Sequence, residues 1–338
     1  MIDYLWTMRR YIIFGLILLL FGIGVGVVVM RGKFEKAVLS PLGVTREKPL
    51  DKYTTENLSL RVFTPSQIIL DQVTATSSAY TVYSFHYESD GKKVTGVAYI
   101  PTDASPIHKD PVIVQFRGYV DKAQYFSGDG TQHSAEVYAK NGFISLAPDF
   151  LGYGGSDGSS VDAFEDRFLT YTTALNLVAS VGTLPMADTA RVGIWGHSNG
   201  GQIALTVLEI LAKSVPAVLW APVSKPFPYS ILFYTDDIPD HGKLLRKVLS
   251  QFEVNYDVES YSLTNYLDHI KGPLQIQQGS ADVEVPQLWT DTLVKAIEAS
   301  SSASVKYFVY PGADHNMTGA WNTVVARDVE FFNAYLKK

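Results

Sequence analysis

The ten residues from Val192 to Gly201 constrain the fold more than any other stretch of this chain. Strand-forming residues lead into the pattern Gly-x-Ser-x-Gly, and a helical pattern follows at once. A serine on such a sharp turn occupies strained backbone, so the residues two positions away must be small, as Gly196 and Gly200 are. The turn lifts the hydroxyl of Ser198 above the sheet. A chance match is the alternative, but the flanking strand and helix favour a nucleophile elbow.

A serine nucleophile needs a base and a carboxylate that orients the base. After an elbow of this kind both follow later in the chain, acid first, each just past the end of a strand. Residues 273–278 and 305–310 are each predicted to form a short strand that ends in a turn. Asp282 lies in the first turn and His315 in the second. They are therefore the predicted acid and base.

The order of the predicted serine, acid and base resembles the α/β-hydrolase superfamily. Three motifs resemble the catalytic domain of the prolyl oligopeptidase-like group, which includes dipeptidyl aminopeptidases and acylaminoacyl peptidases: Asp-Thr-Ala-Arg at 188–191, Gly-Ser-Ala-Asp-Val-Glu-Val-Pro at 279–286 and Tyr-Pro-Gly-Ala-Asp-His at 310–315. The resemblance covers about residues 79–338. It implies a serine hydrolase that needs no metal or organic cofactor.

The predicted strand 112–116 ends in the sequence Phe-Arg-Gly-Tyr, which is similar to the Gly-Tyr turn of acetyl xylan esterase-type enzymes. In the superfamily this turn supplies one backbone N–H of the oxyanion hole, and the residue after the nucleophile supplies the other. The resemblance therefore implies the amides of Tyr119 and Asn199 as the two donors. Two interpretations of Arg117 stay open: it meets the substrate, or it pairs with a nearby carboxylate and never does.

Hydrophobic periodicity predicts the rest of the sheet. Residues 80–87 and 94–100 alternate apolar and polar side chains around Asp90-Gly91, which is typical of a β-hairpin. After Pro101 the chain alternates apolar strands with helical stretches, which indicates a parallel sheet covered on both faces. The predicted fold is α/β: a mostly parallel sheet with helices on both faces and a helical cap insertion, preceded by one transmembrane helix.

Composition excludes several kinds of site and partner. The chain has 338 residues and no cysteine, so disulfides, thiolate metal sites and a cysteine nucleophile are all excluded. Its net charge of −6 gives no electrostatic reason to expect nucleic acid as a partner. No metal-binding motif is present, and five histidines have no acidic or elbow context: His86, His108, His133, His241 and His269.

Three residues close to the predicted triad have to be weighed against it. His197 adjoins Ser198, but the elbow geometry is expected to point its side chain elsewhere, so we interpret it as a packing residue. Asp314 and Glu284 could each replace Asp282 as the acid. Neither occupies the strand-end turn as well as Asp282 does.

An uncharged apolar run extends over residues 11–30. At about 1.5 Å per residue, a helix of this length crosses the hydrocarbon layer of a bilayer, which is about 30 Å thick. A cleaved signal peptide is the alternative, but Arg31-Gly32-Lys33 follows where a small-x-small cleavage site should be. We therefore expect an uncleaved single-pass anchor. Basic residues flank both ends of the run, so the positive-inside rule does not decide the orientation of the anchor. We expect the catalytic domain to be extracytoplasmic.

The predicted organisation has three parts. Residues 1–36 form the membrane anchor, 37–78 a linker and small extension, and 79–338 the catalytic domain with a cap insertion at about 224–271. The extension is too short for the β-propeller of full prolyl oligopeptidases, which restricts those enzymes to short peptides.

The predicted function is hydrolysis of a carboxylic ester through an acyl-enzyme on Ser198, with a small-molecule ester or a short peptide as substrate. The alternative is a serine aminopeptidase or oligopeptidase with the same machinery, although the sequence reveals no site for a peptide amine. A more distant alternative is a hydrolase-fold binding protein without catalysis, which would have a broken triad. Oligomeric state is not determined by the sequence.

Overall fold

The computed structural model describes residues 48–235 and 238–337. The strands of the sheet are β1 Ile69–Thr76, β2 Tyr80–Ser89, β3 Lys92–Pro101, β4 Asp110–Phe116, β5 Ile144–Pro148, β6 Ala187–His197, β7 Ala217–Trp220, β8 Leu274–Gly279 and β9 Val305–Tyr310. They form one nine-stranded sheet in the order β1-β2-β3-β5-β4-β6-β7-β8-β9. Most of the sheet is parallel, as the sequence predicts.

The first three strands and β5 form the antiparallel end of the sheet. The β2–β3 hairpin turns at Asp90 and Gly91, whose φ angles of 53° and 77° are those of a tight hairpin turn. β1 pairs with β2 at the edge, so the sheet begins at Ile69 and not near residue 79 as expected. All but one residue of β1 are exposed. An edge strand of this kind has no apolar alternation, which is why the periodicity did not reveal it.

The strands from β4 to β9 run parallel, so their carboxyl ends meet at one edge of the sheet. Every residue of β4 is buried, and its side chains alternate between two apolar clusters. Val112 and Val114 belong to the cluster on one face, whereas Ile113 belongs to the cluster on the other. This accounts for the continuous apolar character of the strand, because both faces are covered.

The helices are α1 Thr55–Leu60, α2 Gln132–Lys140, α3 Ala163–Ser180, α4 Asn199–Leu211, α5 Tyr229–Leu232, α6 Lys243–Glu253, α7 Gln287–Ser300 and α8 Trp321–Leu336. Side chains of α3, α4 and α7 pack in one cluster, and those of α2 and α8 pack in the other. Helices therefore cover both faces of the sheet. Asp162 caps the N-terminus of α3, and its carboxylate accepts hydrogen bonds from the amides of Phe164 and Glu165.

The segment between β7 and β8 contains α5, α6 and several short 3-10 turns. Phe227, Phe252 and Tyr261 from this segment pack against Phe164 and Phe168 of α3. Part of the predicted cap is thus an extension of the core on the α3 side. Three other aromatic side chains of this segment, Tyr229, Phe233 and Tyr234, contact Trp289 of α7.

The structure does not describe the predicted anchor, because residues 1–47 lie outside the described part of the chain. Within residues 48–235 and 238–337, no helix is long and apolar enough to span a bilayer. From residue 49 onward the extension packs on the catalytic domain, with Leu50, Tyr53 and Leu58 buried in the same cluster as α3.

Candidate active site

Ser198 occupies a sharp turn between β6 and α4, with φ 57° and ψ −121°. This is a strained conformation for a residue with a side chain, and strain of this kind is concentrated at functional sites. A side chain on Gly196 would collide with the backbone of Gly200, and one on Gly200 would collide with the carbonyl of Phe116. The two glycines therefore permit the close approach that the elbow requires.

Asp282 and His315 meet at the carboxyl ends of β8 and β9. The Nδ1 atom of His315 lies 2.9 Å from Oδ2 of Asp282, whose side chain is fully buried. The amides of Glu284 and Val285 donate to the other oxygen of Asp282 at 2.9 and 2.8 Å. A carboxylate held in this way fixes Nδ1 as the protonated nitrogen of the imidazole, which leaves Nε2 as a proton acceptor.

The two alternative acids face elsewhere. Asp314 accepts hydrogen bonds from the amides of Asn316 and Thr318, and these lower the pKa of its carboxyl group. Glu284 has an exposed side chain. The ion pair with His315 is formed by Asp282. The geometry therefore supports the assignment of Asp282 over both neighbours.

The turn after β4 lies against the nucleophile. A Cβ atom on Gly118 would be 3.2 Å from Cβ and 3.7 Å from Oγ of Ser198. Asn199 is the first residue of α4, so its amide has no acceptor within the helix. The predicted oxyanion donors, the amides of Tyr119 and Asn199, thus belong to the two segments that flank the serine. Their role remains a prediction.

Arg117 is buried, and its guanidinium lies 4.4 Å from the ring centre of Tyr125 and 4.1 Å from that of Tyr153. Its Nη1 donates to the carbonyl of Gly118 at 2.9 Å, and its Nη2 donates to the carbonyl of Asp149 at 3.3 Å. These hydrogen bonds go to backbone carbonyls and not to a carboxylate. Arg117 thereby holds the peptide group that carries the amide of Tyr119.

His197, expected to be a packing residue pointing elsewhere, contacts the predicted base. Its Nε2 donates to the backbone carbonyl of His315 at 2.9 Å, and the two rings lie 4.7 Å apart. Burial, followed by the nearby His315, lowers the pKa of His197 to about 4. The elbow and the His315 loop are therefore held together by a neutral imidazole. Only its position next to Ser198 could have indicated this contact.

An aromatic cluster lies beside the acid. Trp289 of α7 contacts the rings of Tyr229, Phe233 and Tyr234 from the segment between β7 and β8. The hydroxyl of Tyr234 donates to the carbonyl of Glu284 at 3.1 Å, two residues after Asp282. All three side chains from the segment are partly exposed. We call this set the aromatic wall.

Within the described residues, no group of three or more His, Asp or Glu side chains could hold a metal ion. The carboxylate of Asp149, in the glycine-rich loop after β5, is occupied by protein donors. It accepts hydrogen bonds from Tyr125, Ser127 and Thr95. This loop therefore acts as a structural turn below the site.

Comparison with known proteins identifies the family. The sequence profile of the prolyl oligopeptidase family matches residues 130–338. The chain belongs to this family. Membership makes it a serine hydrolase of the esterase or peptidase type, in agreement with the resemblance drawn from its motifs.

One similar sequence and two similar structures represent both types. A protein of Schizosaccharomyces pombe assigned as a dipeptidyl aminopeptidase is 24% identical over 222 residues, which cover 64% of this chain but only 24% of that protein. Acetyl xylan esterase 1 from Thermoanaerobacterium sp. JW/SL YS485 is 19% identical, with a TM-score of 0.58 over 84% of this chain and 94% of that one. A protein of Bacteroides ovatus ATCC 8483 assigned as a dipeptidyl aminopeptidase IV is 19% identical, with a TM-score of 0.61 over 81% of this chain and 41% of that one. At these identities the structural likenesses establish the α/β-hydrolase fold alone.

Proposed function

We propose that this enzyme hydrolyses a carboxylic ester through an acyl-enzyme on Ser198. The observation that carries the proposal is the 2.9 Å contact between His315 and the buried Asp282, at the same edge of the sheet as the strained serine. A base that a buried carboxylate orients is the arrangement that activates a serine hydroxyl at neutral pH.

The chemistry follows from these positions. His315 removes the proton from Ser198 through Nε2 as the serine oxygen attacks the carbonyl carbon of the ester. The amides of Asn199 and Tyr119 stabilise the negative charge on the tetrahedral intermediate. The intermediate then expels the alcohol, which takes the proton from His315. Water repeats the same steps on the acyl-enzyme and releases the acid.

The aromatic wall supports an ester as substrate. Tyr229, Phe233 and Tyr234 present partly exposed apolar rings close to the acid, and such rings suit an apolar acyl or alcohol group. A serine aminopeptidase or oligopeptidase is the second candidate, and the relationship to the dipeptidyl aminopeptidase of Schizosaccharomyces pombe favours it. Because this chain spans about a quarter of that relative's length, the relative's substrates are not carried over.

Substrate class and nucleophile can be tested together on the full-length chain in detergent. We expect p-nitrophenyl esters to be turned over much faster than aminoacyl-p-nitroanilides, and a fluorophosphonate to label Ser198 once per chain. Ser198→Ala should lose both labelling and turnover. Preferential cleavage of the anilides would favour the peptidase, whereas stoichiometric labelling of the alanine variant would remove the nucleophile assignment.

We further propose that residues 11–30 anchor the enzyme in a membrane and leave the catalytic domain on the extracytoplasmic side. The uncharged composition of this run supports the anchor. The full-length protein should remain in the membrane pellet through a carbonate wash, and a protease added outside intact cells should reach the domain. Recovery in the soluble fraction with Met1 intact would contradict the anchor.

A further inference from the structure

The guanidinium of Arg167 on α3 has two hydrogen-bond donors that find no acceptor among the described residues. Its Nε and Nη2 atoms are both buried, and neither has a hydrogen-bond partner among residues 48–235 and 238–337. A guanidinium stays protonated in proteins. Each buried N–H group therefore still needs a hydrogen-bond acceptor. Buried hydrogen-bond donors in native proteins are nearly always paired with an acceptor. Two donors without an acceptor on one side chain therefore indicate that a ligand is missing.

The two unpaired atoms define the shape of that ligand. Nε and Nη2 lie on the same edge of the planar guanidinium, and their N–H bonds point in parallel. Two parallel donors of this spacing match the two oxygens of a carboxylate. The open edge of Arg167 is therefore complementary to a bidentate anion.

The carboxylates nearest in sequence are already engaged. Asp162 caps α3 through the backbone amides that follow it. Glu165 pairs with Lys52 at 3.2 Å, and Asp166 pairs with Lys122 at 3.7 Å. The acidic first turn of α3 therefore leaves the guanidinium edge open.

The position of Arg167 links it to the elbow. Tyr171 lies one turn later on the same face of α3, since residues four apart are neighbours on a helix. The hydroxyl of Tyr171 accepts a hydrogen bond from Gln202 at 3.3 Å. Gln202 belongs to the first turn of α4, four residues after Ser198.

An electrostatic interaction relates Arg167 to Tyr234, whose hydroxyl bonds the backbone beside the acid. The positive charge of Arg167 lowers the pKa of Tyr234 and so opposes the burial that raises it. Tyr234 in turn donates to the backbone carbonyl of Glu284, two residues after Asp282. The negative charge of Asp282 raises the pKa of the Tyr234 hydroxyl. Arg167 is thus within electrostatic range of Tyr234, and it shares a helix face with Tyr171, which contacts the first turn of α4.

We propose that Arg167 binds a carboxylate of the substrate, so that the preferred ester is anionic. This inference rests on the proposed ester hydrolase function and adds a substrate class to it. A guanidinium in this position also disfavours the free amine of a peptide substrate, because like charges repel.

The test compares matched esters on the full-length chain. One pair places the carboxylate on the acyl side, as mono-p-nitrophenyl glutarate and its methyl ester. The other pair places it on the leaving group, as 4-acetoxybenzoate and its methyl ester. Arg167→Gln should lower kcat/KM for the anionic member of one pair about tenfold or more, mainly through KM, and change the neutral member less than about threefold. Arg167→Lys should fall between, because an ammonium cannot bind bidentately.

Arg61→Gln is the matched control, because Arg61 forms a surface ion pair with Asp90 and should leave both ratios unchanged. Equal loss on anionic and neutral esters in Arg167→Gln would overturn the proposal, as would no change in either pair. Asp236 and Asp237 lie outside the described residues and follow Tyr234 closely in sequence. A preference for anions that emerges only in an Asp236→Asn/Asp237→Asn variant would also overturn it. Fluorophosphonate labelling of Ser198 in every variant separates these outcomes from failure of the ester hydrolase proposal.

Discussion

Two carboxylates, Asp282 and Asp328, are buried near β8, but their surroundings differ. Asp282 lies at the carboxyl end of the strand and faces the imidazole of His315 at 2.9 Å. Asp328 of α8 is completely buried under the sheet and accepts hydrogen bonds from four uncharged side chains: Tyr138, Trp220, Gln275 and Gln277.

The different surroundings give the two carboxyl groups different chemical capacities. Burial raises the pKa of Asp328 to about 7, although its four hydrogen bonds oppose the rise. Its hydrogen-bond partners among the described residues are all uncharged, so this carboxyl group contributes to the stability of the core. Asp282 has a titratable partner at the edge where parallel strands end, so it can orient a base that moves protons. Burial alone therefore does not identify a catalytic carboxylate.

The largest effect is expected from Asp282→Asn. The amide would leave the imidazole of His315 in the wrong tautomer, which costs about 10⁴ in turnover in the Ser-His-Asp template. We expect kcat to fall by at least about a hundredfold with little change in KM, measured by steady-state kinetics on a p-nitrophenyl ester. Near-normal turnover in a correctly folded variant would mean that the acid has been misassigned.

Asp328→Asn should have the opposite profile. We expect turnover within about threefold of the parent, but a loss of unfolding free energy of about 2 kcal/mol or more near pH 4, because hydrogen-bond donors in the core lose an acceptor. The folded-state pKa of about 7 lies above the unfolded value, so this group's stabilisation is lost as pH rises from about 4 through 7. Chemical denaturation at several pH values should therefore find the smallest difference between variant and parent above pH 7.

His197→Gln should reveal a dependence of opposite sign. The folded-state pKa of His197, about 4, lies below the ordinary value of 6.5, so the unfolded chain binds the proton more readily. Stability is full at neutral pH and is lost as pH falls through about 6.5 toward 4. Between pH 7 and pH 5 the parent should lose about 1 to 2 kcal/mol more unfolding free energy than the variant. Solvent screening keeps this loss small, because His197 is partly exposed. Parallel pH curves for the two proteins would contradict this.

The smallest effects are expected for Glu284→Gln and Asp314→Asn. Both carboxylates are exposed, and exposed charges of this kind contribute only about 0 to 1 kcal/mol. Each variant should keep kcat/KM within about tenfold of the parent. If one of these variants is inactive while Asp282→Asn is active, Asp282 is not the acid, and the contrast between the two buried carboxylates is wrong.

The sequence alone determined the parts of the molecule that depend on a local pattern of residue types. The elbow was predictable because a strained serine needs glycines at 196 and 200. The parallel strands were predictable because burial on both faces makes them continuously apolar. The strand-end positions of Asp282 and His315 were predictable because each follows a short strand in the chain order that the family uses. The exposed edge strand β1 has no such pattern, so it was missed.

Contacts between segments distant in sequence were decided only by the tertiary structure. Sequence placed His197 beside Ser198, but folding brought its ring against His315, 118 residues away. The interpretation that pairs Arg117 with a carboxylate was wrong, because its guanidinium packs between Tyr125 and Tyr153 and donates to the backbone carbonyls of Gly118 and Asp149. The unpaired edge of Arg167 likewise follows only from the positions of the side chains around it in the described part of the chain. Whether a polar group is satisfied depends on all the atoms around it, and a linear pattern does not specify them.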